Sequence, residues 1–80
     1  MKALVWSKDS CPYCDRAKAL LKQKGIEIEE RKIGSGWTKE QLLESVPTAR
    51  TVPQIFLDGE HVGGYDDLVK KFNQENVSGN

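Results

Sequence analysis

Two cysteines, Cys11 and Cys14, sit in the stretch Ser10-Cys11-Pro12-Tyr13-Cys14 with two residues between them. On a helix, residues three apart share a face, so the sulfurs reach bonding distance and can cycle between dithiol and disulfide. A cross-link stabilises mainly by restricting long loops of the unfolded chain, so a ring this small contributes little to the fold and points to reactivity instead. A zinc site also uses Cys-x-x-Cys, but it needs two further Cys or His ligands and the chain offers only His61. No metal is expected. Two inert core thiols are the plainer alternative. Proline inside the motif and a helix starting there speak against it.

The elements around the pair sharpen the chemistry. The apolar run Ala3-Leu4-Val5-Trp6 precedes it, a polar loop of residues 7–10 follows, and a helical pattern then lasts to Lys24. Ser10 or Cys11 therefore lies near a helix N-cap, where unpaired N–H groups and the positive end of the dipole favour a thiolate. Lys8 adds a cation nearby. Cys11, nearer the helix end and the solvent, is read as the nucleophile. Cys14, one turn in and spaced with Ala17 and Leu21, is read as the resolving thiol.

Eighty residues make one domain, 1–80, with residues 77–80 read as a loose tail. Twelve basic and twelve acidic side chains balance, so composition gives no pull toward nucleic acid or an anionic membrane surface. The N-terminal apolar run is too short for a signal-peptide core or a bilayer span. Two cysteines without a disulfide framework suit a reducing compartment, so we expect a cytoplasmic monomer.

Ala3 to Trp6 lacks alternation, as in a strand covered on both faces. The first helix places Tyr13, Ala17, Leu20 and Leu21 on its apolar side, and Gly25 stops it. Ile26 and Ile28 alternate with Glu27 and Glu29 in a strand running to about Ile33, which makes a strand–helix–strand crossover of parallel type. After the Gly34-Ser35-Gly36 loop, Thr38 and Gln41 form a capping box. Leu42, Leu43 and Val46 line that second helix, and Pro47 ends it. Trp37 is read as a staple at the helix start rather than as a site residue. Gln54–Leu57, the Asp58-Gly59 turn and Glu60–Val62 predict a β-hairpin. Gly63-Gly64 leads into a third helix with Leu68, Val69 and Phe72 inward. His61 is read as solvated and unpaired.

With these pieces in place, the chain resembles a glutaredoxin of the dithiol type, within the thioredoxin-like superfamily. The resemblance rests on Lys8, Cys11-Pro12-Tyr13-Cys14, Thr51-Val52-Pro53 and Gly63-Gly64-Tyr65-Asp66-Asp67, and covers nearly the whole chain. It implies an α/β thioredoxin-like fold, a four-stranded mixed sheet flanked by three helices, with a cis peptide before Pro53 facing the cysteines. It also implies a glutathione-disulfide oxidoreductase that uses glutathione as co-substrate, with no bound cofactor. Its protein substrates would be disulfide or glutathionylated proteins, ribonucleotide reductase among the candidates. By position, Lys8 and Tyr13 would contact the glycine end and sulfur region of glutathione. Thr51 and Val52, beside Pro53, would hold its cysteine portion. Asp67, with Gly64 and Asp66, would meet the γ-glutamyl end. A surface lysine and simple helix capping are the bland readings of Lys8 and of the aspartates. The chain departs from the pattern at Tyr65, where many relatives carry cysteine, and at residues 34–37; Arg50 is a further candidate cation. Two alternatives remain open: an electron donor reduced by thioredoxin reductase, and a carrier of an iron–sulfur cluster held by Cys11 thiolates and glutathione, disfavoured by Pro12 and Cys14.

Overall fold

The computed structural model describes the backbone of residues 1–78 and the side chains of residues 1–73. The elements follow in the order β1 (Lys2–Lys8), α1 (Pro12–Gln23), β2 (Glu27–Ile33), α2 (Lys39–Ser45), β3 (Gln54–Leu57), β4 (Glu60–Gly63) and α3 (Tyr65–Ser78). The four strands form one mixed sheet in the order β2-β1-β3-β4. β1 pairs parallel with β2 and antiparallel with β3, and β3 pairs antiparallel with β4.

The unalternated apolar run of β1 is explained by this place in the sheet, interior and covered on both sides. Ala3 and Val5 point into the larger core with Ile55 and Leu57 of β3, Ala17 and Leu21 of α1, and Leu68 and Phe72 of α3. Trp6 points the other way, into a smaller core with Leu42 and Val46 around α2, joined by Phe56 and Trp37. Successive strand residues face opposite sides, so one short run serves both layers.

Local signals place the element ends as the sequence indicates. Pro12 occupies the first turn of α1, and Gly25 supplies the left-handed residue after it (φ +73°). Thr38 and Gln41 form the reciprocal capping box of α2. Trp37 packs in the same small core as Leu42, as a staple does, with its ring edge-on to Trp6 at 5.5 Å. Asp58 and Gly59 both have positive φ, the geometry a two-residue hairpin turn prefers.

Some expectations are corrected. Tyr13 does not lie on the buried side of α1. It is 55% exposed, one of the most exposed large side chains. Leu43 and Val69 are only half-buried, and β2 starts at Glu27, leaving Ile26 buried in the preceding loop. Helix α3 runs on through Val77 and Ser78, which composition had assigned to a tail; Gly79 and Asn80, the rest of that stretch, lie outside the described residues.

Candidate active site

The loop from β1 into α1 turns through Ser10, whose φ is +56°, and delivers Cys11 as the N-cap of α1. The Cys14 N–H donates to the Cys11 Sγ at 3.1 Å, and the Asp15 N–H donates to the Cys11 carbonyl at 3.2 Å. Cys11 thus places its sulfur where a capping serine would place its oxygen, against otherwise unpaired helix N–H groups. Cys11 and Cys14 are joined as a disulfide, with Cα atoms 5.2 Å apart. Their exposures differ in the anticipated sense, 7% for Cys11 and 1% for Cys14. Although both count as buried, the Cys11 sulfur is at the helix tip and lies 3.8 Å from the Val52 carbonyl oxygen.

The segment carrying Val52 reaches the cysteines because β3 starts only after it, at Gln54, opposite Trp6 of β1. The Val52–Pro53 peptide is cis. Beside this turn opens a groove of about 580 Å³. Of the residues singled out from the sequence, Tyr13, Thr51, Val52, Pro53, Gly64, Asp66 and Asp67 all line it. Lys8 does not. It lines a separate, smaller groove with Arg50, and the two grooves share Thr51 and Val52 as a common wall.

The far end of the larger groove is shaped by the start of α3. Asp67 accepts a hydrogen bond from the Gly64 N–H at 3.3 Å, so its carboxylate does cap the helix while also facing the groove. Gly63 has φ +121°, and a Cβ there would collide with the Asp67 side chain. Two requirements therefore select glycine at this corner. Tyr65 packs near Tyr13, with ring centroids 6.0 Å apart, and Arg16 lies over the Tyr13 ring at 5.4 Å.

Gln54 and His61 also line the groove, and the sequence reading missed both. Gln54 is buried; its Nε2 donates to the Thr51 carbonyl at 2.9 Å, while its Oε1 lies 2.9 Å from His61 Nε2. The two contacts fix each other: an amide oxygen accepts, so His61 must donate through Nε2 for the Gln54 NH₂ to face Thr51. His61 is therefore not the unpaired histidine expected, and its ring also packs on Phe56 with centroids 5.0 Å apart. The signal was present in the hairpin. Phe56 pairs with His61 across the strands, and Gln54 lies on the same face two residues away.

Beneath the cysteine loop, Ser7 at the end of β1 is fully buried and its hydroxyl donates to Glu30 of β2 at 2.6 Å. Lys18 of α1 reaches the same oxygen at 2.8 Å and Asp15 at 3.7 Å. The Lys18 hydrogen bond, then that of Ser7, holds the Glu30 carboxyl below its ordinary range. On the loop itself, Asp9 pairs with Lys32 at 2.8 Å, which lowers the pKa of the acid and raises that of the base. These links tie the loop ahead of Cys11 to β2 and α1.

Fold and site together define a thioredoxin-like protein with a redox-active cysteine pair at the front of its first helix. A family model described as Glutaredoxin matches residues 3–62. The chain is 45% identical over 64 residues to Glutaredoxin 3 of Escherichia coli (strain K12), spanning 80% of this chain and 77% of that one. Among solved structures, a buckwheat glutaredoxin–glutathione complex is similar with a TM-score of 0.80 at 30% identity, covering 95% of this chain and 72% of that one. Reduced Escherichia coli glutaredoxin is similar with a TM-score of 0.76 at 34% identity, over 98% and 99% of the two chains. The chain belongs to the glutaredoxin family, whose members are generally thiol oxidoreductases.

Proposed function

We propose that this protein is a glutathione-dependent oxidoreductase that reduces protein disulfides and protein–glutathione mixed disulfides in the cytoplasm. The observation that carries the reading is the position of the Cys11 sulfur. It caps α1, it adjoins the Val52 carbonyl, and that residue walls a groove long enough for an extended tripeptide. The buckwheat relative solved with glutathione supports the choice of ligand.

The Cys11 thiolate, held by the N–H groups at the helix start, attacks one sulfur of the substrate disulfide. A new S–S bond forms, the old one breaks, and the departing thiolate takes a proton from solvent. With a protein disulfide, the Cys14 thiolate then attacks Cys11, releases the second substrate thiol and leaves the Cys11–Cys14 disulfide. One glutathione opens that disulfide and a second displaces the first as oxidised glutathione, restoring both thiols. With a glutathionylated protein, Cys11 takes up the glutathionyl group and a second glutathione removes it, so Cys14 is dispensable. Thr51 and Val52 would present backbone groups to the cysteine portion of glutathione and Tyr13 would flank its sulfur. Asp67, with Gly64 and Asp66, would meet the γ-glutamyl ammonium, and Lys8 the glycine carboxylate.

The test is turnover of a glutathione mixed disulfide with glutathione and glutathione reductase, set against the same substrate with thioredoxin reductase. Turnover dependent on glutathione is expected. Turnover with thioredoxin reductase alone would replace this reading by that of an electron donor fed from that enzyme.

A further inference from the structure

The second groove is the feature that glutathione binding leaves largely unused. It holds about 200 Å³ between α2 and residues 49–52, with Ile33, Leu43 and Ala49 supplying apolar lining. Every charged residue lining it is a cation: Lys8, Lys39 and Arg50. Among the described residues these three make no ion pair, whereas Lys2, Lys18, Arg31 and Lys32 each have a carboxylate partner. Across the shared wall, the first groove carries Asp66 and Asp67 and no lysine or arginine. The whole chain has no net charge, so this polarity across Cys11 is local.

Lys39 gives the groove its asymmetry at a local cost. It is the first residue of α2, where the helix dipole favours an acid and disfavours a cation. Leu43 follows four residues later on the same helix face, so a charged rim and an apolar floor come from one side of α2. Val52, in the wall common to both grooves, lies against the reacting sulfur.

We infer that this groove docks the polypeptide of a protein substrate: an acidic segment with aliphatic residues that flanks the cysteine Cys11 attacks. The inference deepens the function proposed above by naming a substrate class, and it rests on Cys11 being the attacking thiol. Carboxylates of the segment meet Lys39 and Arg50, and an aliphatic side chain covers Leu43 and Ala49. Complementary charge of this kind raises encounter rates and rejects basic partners, both effects weakening with salt. Glutathione makes its own contacts in the first groove and around Lys8, so Lys39 distinguishes protein substrates from the small co-substrate.

The experiment compares wild type, Lys39→Gln and Lys39→Glu on three substrates. Two are mixed disulfides of glutathione with peptides of equal length, one having Asp, Glu and Leu around its cysteine and the other having the acids replaced by Lys. The third is a mixed disulfide of glutathione with a small uncharged thiol. Wild type should prefer the acidic peptide in kcat/KM by about tenfold at low salt, with a smaller ratio at high salt. Lys39→Glu should cut that preference by about three- to tenfold, Lys39→Gln by less, and neither should change turnover of the small substrate. An acid at this helix position is compatible with folding, which the small substrate verifies. Equal wild-type rates on the two peptides, or an unaltered preference in Lys39→Glu, would overturn the inference. So would an equal loss on the small substrate, which would assign Lys39 to the glutathione site. Peptide discrimination without any dependence on glutathione would leave the docking surface standing and remove glutathione from the function.

Discussion

Replacing Gln54 by leucine keeps most of the side-chain volume and removes both polar contacts that brace the turn before β3. The amide is buried, donates to the Thr51 carbonyl at 2.9 Å and receives His61 at 2.9 Å. A typical hydrogen bond contributes a net ~0.5–1.5 kcal/mol. Thr51 and His61 are both exposed, so their released groups regain water and no buried group is left bare. The sum is about 1–2 kcal/mol, which for a domain of this size lowers Tm by about 4–12 °C. If the binding groove loses about half of that through a less ordered Thr51–Val52 wall, KM for a glutathione mixed disulfide rises about three- to fivefold with kcat nearly unchanged. Gln54→Glu should do more harm, because a carboxylate oxygen cannot donate to the Thr51 carbonyl and repels it. A double-mutant cycle with His61→Phe should show a coupling of about 0.5–1.5 kcal/mol, since His61 orients the amide. Steady-state kinetics and thermal melting read both quantities. Unchanged KM and Tm in Gln54→Leu would refute the bracing argument, and strict additivity with His61→Phe would refute the relay.

Cys11→Ser should abolish reduction of both substrate classes, while Cys14→Ser should lose protein-disulfide reduction and retain deglutathionylation, as a coupled assay with glutathione reductase would record. Acid stability should depend on Glu30. Its carboxyl titrates below the ordinary value in the folded protein, so its contribution is complete above the unfolded carboxylate pKa and is lost as pH falls through the folded one. Ser7→Ala removes one of the hydrogen bonds responsible, so its acid-unfolding midpoint should move to higher pH, measured by circular dichroism.

Much of the molecule could be read from the chain because its local and tertiary preferences agree. The Thr38–Gln41 box, the Asp58-Gly59 turn and the apolar run of β1 each had a single economical interpretation, and the fold uses all three. The cysteine pair was legible for the same reason: a polar loop opening a helix is where a sulfur can act as a cap. What stayed hidden depended on pairings between distant segments. Tyr13 has helical spacing with Ala17, but its position at the helix mouth turns it toward the groove. Gln54 and His61 look like ordinary hairpin residues until the register of β3 and β4 puts amide and imidazole together. Lys8 and Asp67 carry the family pattern, yet only coordinates separate Lys8 into the second groove and give Asp67 its capping bond.

At the centre of the account is a thiolate stabilised by its place at the start of α1. The most direct measurement is the pH dependence of Cys11 alkylation in the reduced Cys14→Ser variant, which keeps the residue-14 N–H that points at the sulfur. The account predicts that the rate has already reached its plateau at neutral pH, so that Cys11 titrates well below the ordinary thiol value of about 8.5. A rate that keeps climbing through the ordinary thiol range would contradict it.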